Sequence, residues 1–508
     1  MVGRAATVAV VGLEPMPVVV EAHVGAGLPG FSVIGSSGPS ASQAVHRVRT
    51  ALRSLGVTLA SRKFLVSLAP ADVPKAGARF DLAMAAALLV EEEAITTDAL
   101  DRCVLLGELA LDGAVRPVTG VLPAAASLAG SGRRLLVADA NAPEAALVEG
   151  LQVVPVSTLA EVVQVLRGDQ QPRPVPPSEI VGHAPSGALS ADLADVRGQP
   201  EARRALEIAA AGGHHILLLG PPGCGKSMLA HRLPGILPPL TRAEALEVAA
   251  VRSVAGLLPE AGGLDHRPPL RAPHHSMSAA SLLGGGTGVA RPGELSLAHR
   301  GCLFLDELFE WPRHLLDSLR EPLEEGVVRL ARAQATVTYP ALVQLAAAAN
   351  PCPCGGGDRC SCSDETIWAY RSRLSGPLAD RFDLAPNVRR LSASALLASC
   401  QAEPSAAVAA RVCAARAMAA DRWGTTNRQA GPVALRAVTR PGALRVLADA
   451  VEAGELTGRG FDRALRVART CADLEGSELV EPHHAFEALA HRMQLRACVQ
   501  GAAMERVG

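Results

Sequence analysis

Apolar and polar residues alternate in three different ways along this chain. Residues 1–167 mix short valine-rich runs with helical stretches such as SASQAVHRVRTALRSLG and RFDLAMAAALLVEEEA. This pattern predicts an α+β unit that begins with two strands. Residues 191–390 contain short aliphatic runs such as ILLL and CLFL, which are typical of parallel strands buried on both faces. Residues 391–508 show helical periodicity, so the chain is predicted to form three units.

Residues 168–190 separate the first two units and have no apolar period. Their sequence, GDQQPRPVPPSEIVGHAPSGALS, is rich in proline and polar residues and predicts a linker. The chain of 508 residues is too long for one core, and 49% hydrophobic against 19% charged residues indicates a folded protein. No apolar run approaches the roughly 20 residues of a membrane-spanning helix. Because the valine-rich start favours strands over a signal peptide, we expect a cytoplasmic protein with reduced thiols and no membrane partner.

The second unit contains a predicted phosphate site. HHILLLGPPGCGKSMLAHRLPG, residues 214–235, places an aliphatic strand before a glycine-rich turn and a helix after it. The turn fits the pattern G-x-x-x-x-G-K-[ST] with Gly220, Pro221, Pro222, Gly223, Cys224, Gly225, Lys226 and Ser227. Backbone N–H groups of such a turn surround phosphate oxygens, while Lys226 reaches the β- and γ-phosphates and Ser227 binds Mg²⁺. The alternative, a chance glycine turn, is weakened because Lys63 and Lys75 are the only other lysines.

Two further strands are predicted to end in polar groups at this site. GCLFLDELFE, residues 301–310, presents Asp306 and Glu307 at the carboxyl end of a buried parallel strand, where ligands of open α/β sheets bind. We expect Asp306 to hold Mg²⁺ through water and Glu307 to polarise the attacking water. ALVQLAAAAN ends in Asn350, which is expected to orient that water. The alternatives are an acidic helix cap for the two acids and a turn asparagine before Pro351.

A nearby arginine is a candidate for completing a neighbouring nucleotide site. SGPLADRFDL, residues 375–384, places Arg381 between acids after a short helix. An arginine there can reach the nucleotide of another subunit and stabilise the charge on the transferring phosphoryl group. The alternative is a local salt bridge with Asp380 or Asp383, which would contribute little to stability.

Four cysteines are concentrated in one short segment. Cys352, Cys354, Cys360 and Cys362 lie within 11 residues, although the whole chain has only 11 cysteines. In a reducing compartment such clustering favours Zn²⁺ over disulfides. The spacing is C-x-C twice rather than the usual C-x₂₋₄-C, so an unligated loop remains the alternative.

These motifs together resemble those of the AAA+ ATPases and, within them, the Mg-chelatase-like YifB/ComM family. The phrases that carry the resemblance are DLADVRGQPEARRALEIAAAGGHHILLLGPPGCGKSMLA, RAPHHSMSAASLLGGG, RPGELSLAHRGCLFLDEL, LREPLEEGVVRLARA, AAANPCPCGGG and SGPLADRFDL. The resemblance covers almost the whole chain. It implies an α/β AAA+ P-loop NTPase core with a helical lid, and a ring, usually a hexamer, with ATP and Mg²⁺ between subunits. It also implies that Asn350 is sensor 1, that Arg381 is a trans-acting arginine finger, and that Arg459, or alternatively Arg466, is sensor 2.

The same family pattern implies two insertions that point toward the ring pore. LRAPHHSMSAASLLGGGTGVARPGELSLAH, residues 270–299, resembles the helix-2 insertion, and residues 322–341 resemble the hairpin before sensor 1. The alternating VVRLARAQATVTY suits a strand pair. Arg329 and Arg332 on this hairpin, and His274 and His275 on the other insertion, are candidates for contacting a phosphate backbone. An ordinary solvated hairpin face is the alternative.

The first unit resembles the active-site segment of Lon-type proteases. That resemblance rests on LAPADVPKAGARFDLAMAAALL, residues 68–89, and it implies a ribosomal-S5-like α+β fold. Arg79 stands where the nucleophilic serine would be, and a guanidinium cannot attack a carbonyl carbon. We therefore expect no peptidase activity.

The leading function is an ATP-driven motor acting on single-stranded or branched DNA. The resemblance implies a helicase or branch-migration role in recombination, as in natural transformation. Because the net charge is −1, any DNA contact must be a local basic patch. One alternative is a magnesium-chelatase-like motor subunit, against which the presence of the first unit argues. Another is an AAA+ remodeller or scaffold whose substrate is protein.

Overall fold

The computed structural model describes the chain in twelve stretches. They are residues 2–25, 28, 30–35, 39–57, 62–75, 77–173, 175, 191–259, 263–286, 288–355, 360–392 and 402–500. Most of the predicted linker 168–190 therefore lies outside the described residues. Within them the fold is mixed α/β, as the sequence predicts.

A mixed seven-stranded sheet organises the first unit, in the order β3-β4-β2-β1-β5-β8-β9. The strands are β1 (Gly3–Val11), β2 (Glu14–Gly25), β3 (Gly30–Ile34), β4 (Lys63–Ala69), β5 (Cys103–Leu106), β6 (Glu108–Leu109), β7 (Val115–Arg116), β8 (Arg134–Ala138) and β9 (Gln152–Val156), with β6 and β7 pairing separately. The helices are α1 (Pro39–Ser54), α2 (Asp81–Glu91), α3 (Thr97–Asp101), α4 (Val121–Ala126), α5 (Ala142–Ala145) and α6 (Leu159–Arg167). The two strands predicted at the start are confirmed as the antiparallel pair β1 and β2.

Helix α2 lies at the centre of this unit because its sequence, DLAMAAALLVE, is apolar on every side between its two terminal acids, of which the buried Asp81 pairs with Arg47. Residues 81–90 are all buried, and small alanines allow the helix to approach the strands β1 and β2 closely. A helix that is apolar all round belongs in a core rather than at a surface. This explains how a unit so poor in aromatic residues packs.

The second unit is built on a parallel sheet, and this confirms the predicted parallel strands. Its order is β10 (Ile216–Leu219), β17 (Gln344–Ala349), β14 (Cys302–Leu305) and β11 (Leu270–Arg271). Residues 384–387 add parallel bridges to the outer side of β10. The strand that leads into the phosphate loop is therefore flanked on both sides, which fixes where the loop begins.

Short helices and two hairpins surround this sheet. The helices are α7 (Pro200–Gly212), α8 (Lys226–Ala230), α9 (Arg242–Ala255), α10 (Ala279–Leu283), α11 (Glu294–Leu297), α12 (Arg313–Ser318), α13 (Arg320–Glu325), α14 (Asp364–Arg371) and α15 (Gly376–Ala379). The hairpins pair β12 (Gly284–Gly285) with β13 (Arg291–Pro292), and β15 (Val327–Ala331) with β16 (Thr336–Pro340). The second pair confirms the hairpin predicted from VVRLARAQATVTY.

The last unit is helical, as predicted, and packs on the second. Its helices are α16 (Ser405–Trp423), α17 (Pro432–Ala437), α18 (Pro441–Glu452), α19 (Gly458–Leu474) and α20 (Pro482–Gln500). Helices α16 and α19 share one buried core with α7 and β10. None of the helices in the described ranges is long and apolar enough to cross a membrane.

The first unit also contacts the second directly. Leu122 of α4 and Leu147 share a buried cluster with Val248 and Ala249 of α9. The Ser253 hydroxyl donates to the buried Glu144 carboxylate across this contact. Because α9 leads into the insertion at residues 270–299, the first unit lies against the element that precedes it.

Candidate functional site

The phosphate loop joins the carboxyl end of β10 to α8, as the sequence predicts. Gly223 and Gly225 have φ angles of 76° and 95°, which favour glycine over residues with a side chain. At Gly220 the reason for glycine is proximity, since a Cβ would lie 2.1 Å from the Val388 carbonyl oxygen. The loop therefore needs glycine for its conformation and for its contact with the flanking segment.

Lys226 and Asn350 meet in the structure. The Lys226 ammonium donates to Asn350 Oδ1 at 2.9 Å, and to the carbonyl oxygens of Gly220 at 2.8 Å and Pro221 at 2.9 Å. Burial lowers the pKa of Lys226. A buried ammonium held by neutral oxygens is placed to exchange those partners for a phosphate anion.

Ser227 and Asp306, the two residues predicted to bind Mg²⁺, lie in contact. The Ser227 hydroxyl donates to Asp306 Oδ2 at 2.7 Å, which brings two oxygen ligands together at the loop. Hydroxyl and carboxylate oxygens are the ligand types that Mg²⁺ prefers, usually together with waters and substrate phosphates. These residues fit Mg²⁺ and a nucleoside triphosphate by the chemistry of their donor set.

Glu307 adopts an unusual conformation beside Asp306. Its φ angle is 49°, in the left-handed region that few non-glycine residues occupy, and such strain is concentrated at functional sites. Its carboxylate lies 3.3 Å from His275 Nδ1, and the His275 ring stacks on His274 with centroids 4.1 Å apart. The insertion at residues 270–299 therefore touches the predicted catalytic glutamate directly, a contact that sequence reasoning missed.

Apart from the phosphate loop, a cavity of about 320 Å³ is lined by four arginines. They are Arg381, Arg428, Arg463 and Arg466, and the lining also includes His215 and Glu324. Burial lowers the pKa of Arg428 and of Arg466. The Nε atoms of Arg381 and Arg428 are buried without a hydrogen-bond partner in the part of the chain that the structure describes. Such a concentration of half-buried guanidinium groups, two of them with an unsatisfied Nε, suits an anion.

Arg381 does not form the local salt bridge considered as its alternative. It pairs with Glu324, while Asp380 lies 3.4 Å from Arg492 and Asp383 accepts from Arg463 at 3.0 Å. The Arg381–Asp380 or Arg381–Asp383 alternative is therefore wrong, because other arginines occupy both acids. Since Glu324 is exposed, its pairing with Arg381 is easily exchanged.

The arginine cavity and the phosphate loop lie at opposite ends of the strands of the parallel sheet, the cavity at their amino ends and the loop at their carboxyl ends. His215 in the cavity precedes β10, whereas Gly220 follows it, and four strand residues span about 13 Å. That separation exceeds the length of an arginine side chain. Arg381 therefore faces away from the phosphate loop of its own chain.

The two sensor-2 candidates lie in different surroundings. Arg459 is exposed in the first turn of α19 and is outside the cavity, whereas Arg466 lines it and donates through Nε to the Ala430 carbonyl at 3.1 Å. Sequence reasoning missed Arg463 and Arg428. Arg463 belongs to the same R-x-x-x-R-x-x-R pattern, but Arg428, in TTNRQ, carries no sequence signal.

The arginines of the β15–β16 hairpin, Arg329 and Arg332, are exposed, which fits both phosphate contact and an ordinary solvated hairpin face. Arg329 pairs with Glu325, and its Nη1 lies 3.7 Å from Glu321. Exposed ion pairs of this kind contribute little free energy, so they do not prevent Arg329 from contacting phosphate.

The four clustered cysteines come together in space. Their Sγ atoms all lie within 4.8 Å of one another. Cys352 Sγ is 3.4 Å from that of Cys354 and 3.3 Å from that of Cys360, and the Cys354–Cys360 separation is 3.6 Å. Such a group of four sulfurs has the composition of a tetrahedral zinc site.

The lysine and the arginine of the Lon-like segment are both engaged in structural contacts. Lys75 donates to the Pro70 and Val73 carbonyls, and Arg79 Nη2 donates to the Thr119 carbonyl at 2.8 Å. Burial lowers the pKa of Arg79 to about 10, although Glu144 opposes the shift. The S5-like fold stays a prediction for this unit.

Three family models match consecutive parts of the chain. Residues 192–396 match "Magnesium chelatase, subunit ChlI", residues 20–141 match "Subunit ChlI of Mg-chelatase", and residues 402–492 match "Magnesium chelatase, subunit ChlI C-terminal". The first unit thus matches a model that is itself described as a chelatase subunit. Its presence therefore does not argue against the chelatase alternative.

Several bacterial proteins are similar along almost their whole length. An uncharacterized protein of Mycobacterium tuberculosis is 46% identical, over 93% of this chain and 95% of its own. The uncharacterized protein YifB of Escherichia coli is 41% identical and the competence protein ComM of Haemophilus influenzae is 40% identical, each over 96% of both chains. The chain belongs to the YifB/ComM family of magnesium-chelatase-like proteins.

Proposed function

We propose that this protein is an ATP-driven AAA+ motor that assembles into a ring and moves single-stranded or branched DNA. The observation that supports the proposal is that the predicted phosphate loop and the arginine cavity lie at opposite ends of strand β10. The phosphate loop with its acids lies at one end, and the arginine cavity lies at the other. A site divided in this way is complete only when two chains meet.

ATP and Mg²⁺ are the cofactors of the proposed reaction. The loop amides and Lys226 bind the triphosphate, and Ser227 with Asp306 holds Mg²⁺. Glu307 takes the proton of the attacking water, and Asn350, released from Lys226 by phosphate, orients that water. We also propose Zn²⁺ at the four clustered cysteines.

In the proposed ring the arginine cavity of one chain receives the γ-phosphate of its neighbour. Arg381 stabilises the negative charge that develops on the transferring phosphoryl group. Arg466, with Arg463 and Arg428 beside it, supplies further positive charge. The cavity supports Arg466 over Arg459 as the sensor-2 arginine, and the hexameric ring follows from the family resemblance.

The exposed hairpin arginines support DNA as the substrate. Arg329 and Arg332 are the charge type that contacts phosphates without reading sequence. One relative of this chain, that of Haemophilus influenzae, is named a competence protein. A role in recombination during natural transformation is consistent with both points.

The test is ATP hydrolysis and strand movement by the purified full-length protein. We expect single-stranded and forked or four-way DNA to stimulate ATP hydrolysis and unfolded protein not to do so. Labelled strands should leave forked and four-way DNA with ATP but not with a non-hydrolysable analogue. Protein that hydrolyses ATP but neither binds nor moves these substrates would overturn the DNA proposal, and stimulation by unfolded protein would then favour a protein remodeller.

A magnesium-chelatase-like motor subunit is the second candidate. It is favoured by the descriptions of the three matching family models. Its ATP hydrolysis would not respond to DNA, so the same assay separates the two candidates.

A further inference from the structure

The cysteine cluster has the dimensions of a zinc tetrahedron. With Zn–S bonds of about 2.3 Å, a tetrahedral site separates its sulfurs by about 3.8 Å. Three of the sulfur–sulfur distances are 3.3–3.6 Å, and all four sulfurs lie within 4.8 Å of one another, close to that value. They are far from the roughly 2.05 Å of a disulfide. The group includes a buried sulfur, that of Cys352, and exposed or partly exposed partners, which leaves a path for metal entry.

One end of the cluster lies against the phosphate loop. Cys352 follows Asn350 by two residues, and a turn closes where the Gly355 amide donates to the Cys352 carbonyl at 3.0 Å. The Gly355 backbone, at φ 64°, lies so close to Pro222 that a Cβ there would be 2.6 Å from the proline ring. The cysteine turn therefore touches the loop that binds phosphate and continues directly from the asparagine that contacts Lys226.

The other end of the cluster connects to the segment after Glu307. Cys362 leads into α14, whose Tyr370 packs edge-on against Phe309 with ring centroids 5.2 Å apart. Arg373, just beyond the helix, donates to the Phe309 carbonyl at 2.6 Å. Arg371 donates to the Pro351 carbonyl at 3.0 Å and so ties the two ends together.

Given the ATP site proposed for residues 220–227, we propose that Zn²⁺ on Cys352, Cys354, Cys360 and Cys362 braces that site and raises its affinity for ATP. The metal joins the described residues 352–354 to residues 360–362 and keeps Asn350, the phosphate loop and the segment after Glu307 in their present contacts. Zinc and ATP are then thermodynamically linked, so each raises the affinity of the other by the same factor. Because zinc binds thiolates, occupancy falls as pH drops and protons compete.

The experiment compares Cys354→Ser and Cys360→Ser with Cys413→Ser, a control that removes an exposed cysteine of α16 far along the chain from the cluster. Metal analysis should find about one zinc per chain in the wild type and the control, and a small fraction of that in the cluster variants. Binding of a fluorescent ATP analogue should weaken about tenfold in the cluster variants, which corresponds to about 1.4 kcal/mol. Treating the wild type with a chelator should reproduce this loss, and adding Zn²⁺ should reverse it. This second arm does not depend on the variants folding.

Loading the chelated protein with Co²⁺ adds a readout that is independent of ATP. Thiolate-to-cobalt charge transfer should appear in the wild type and in the Lys226→Ala variant, and should diminish in the cluster variants. Protein that carries no metal and gives no cobalt spectrum would overturn the zinc site. Zinc-loaded protein whose ATP affinity is unchanged by chelation would overturn the bracing role alone. Zinc-loaded protein that binds no ATP would instead contradict the proposed nucleotide site.

Discussion

Lys226 and Glu307 belong to the same predicted site but differ in their burial and in their contacts. Lys226 is buried among three oxygen acceptors, whereas Glu307 is half exposed and its carboxylate lies beside His275. The first arrangement is suited to holding a bound anion, and the second to a group that moves during a cycle. Their substitution should therefore separate binding from chemistry.

We expect Lys226→Ala to lose most ATP binding, because the triphosphate loses its buried cation. Glu307→Gln should bind ATP normally and hydrolyse it about 10²–10⁴-fold more slowly, since the amide cannot accept the proton of water. Equilibrium binding and single-turnover hydrolysis measure the two effects. Wild-type turnover by Glu307→Gln would contradict the assigned role.

The His275–Glu307 contact predicts that the insertion at residues 270–299 controls hydrolysis. His275→Ala should free the Glu307 carboxylate and raise hydrolysis in the absence of DNA by up to about fivefold, since a half-exposed contact of this kind contributes about 1 kcal/mol at most. The factor by which DNA stimulates ATP hydrolysis should therefore be smaller in this variant than in the wild type. His274→Ala is the matched control, because His274 stacks on His275 and is not the residue paired with Glu307. Equal effects of the two variants would count against a direct contact.

His214 and His215 predict a loss of stability in mild acid. Both are fully buried before β10, and burial lowers the pKa of each, that of His215 well below its usual value. A lowered folded pKa means that the stability is fully present above the unfolded value of about 6.5 and is lost as the pH falls below it. Each histidine can remove at most about 1.4 kcal/mol per pH unit over that window.

The measurement is the thermal unfolding midpoint between about pH 7.5 and pH 5.5. His214→Gln keeps a polar group for Thr470, whose hydroxyl lies 2.8 Å from His214 Nε2, and should reduce the slope with pH. The exposed His314→Gln serves as a control. A wild-type midpoint that does not fall in this range would refute the prediction.

Among the secondary-structure elements, the strands of the parallel sheet were predictable from short aliphatic runs. The strand that ends at Leu219 leads into the glycine-rich loop, and those that end at Leu305 and Ala349 lead into Asp306 and Asn350. Local sequence suffices in these cases because the carboxyl ends of parallel strands meet at one edge. The phosphate loop, Asp306, Glu307 and Asn350 follow from that rule.

The arginine cavity was only partly predictable because it is formed by tertiary contacts. Arg381 precedes the segment beside β10, Arg428 lies between α16 and α17, and Arg463 lies on α19. No period or motif in the sequence reports that these segments converge. The contact between His275 and Glu307 escaped prediction for the same reason.

The β15–β16 hairpin is the element that we expect to contact DNA. Replacing Arg329 and Arg332 together with alanine should remove DNA-stimulated hydrolysis and strand movement and leave most basal hydrolysis in place. Because binding would depend on a few phosphate contacts, wild-type affinity should fall steeply with salt, and the double variant should show a shallower dependence. Arg313→Ala, which removes an exposed arginine of helix α12 outside the hairpin, is the control. Unchanged DNA stimulation in the double variant would remove the hairpin from the proposed path.

At the scale of the whole molecule, the two halves of the nucleotide site predict complementation between variants. Arg381→Ala should bind ATP but not hydrolyse it, and Lys226→Ala should not bind it. In a mixture, a Lys226→Ala chain still offers Arg381 to the intact phosphate loop of an Arg381→Ala neighbour, so hydrolysis should return. The restored rate of ATP hydrolysis should be largest near equal amounts of the two chains. Inactivity at every mixing ratio would contradict a site shared between chains.

The arginine cavity lies at the end of the strands opposite the phosphate loop. In the proposed ring, the rate of ATP hydrolysis per chain should therefore depend on the protein concentration. Because the arginines of a neighbouring chain complete each site in that ring, an isolated chain should hold nucleotide but hydrolyse it poorly, and dilution should abolish hydrolysis before it abolishes ATP binding. Specific activity should then rise with total protein concentration until every chain has a neighbour. A variant that assembles poorly will resemble a chemically defective one at low concentration, and only a concentration series distinguishes them.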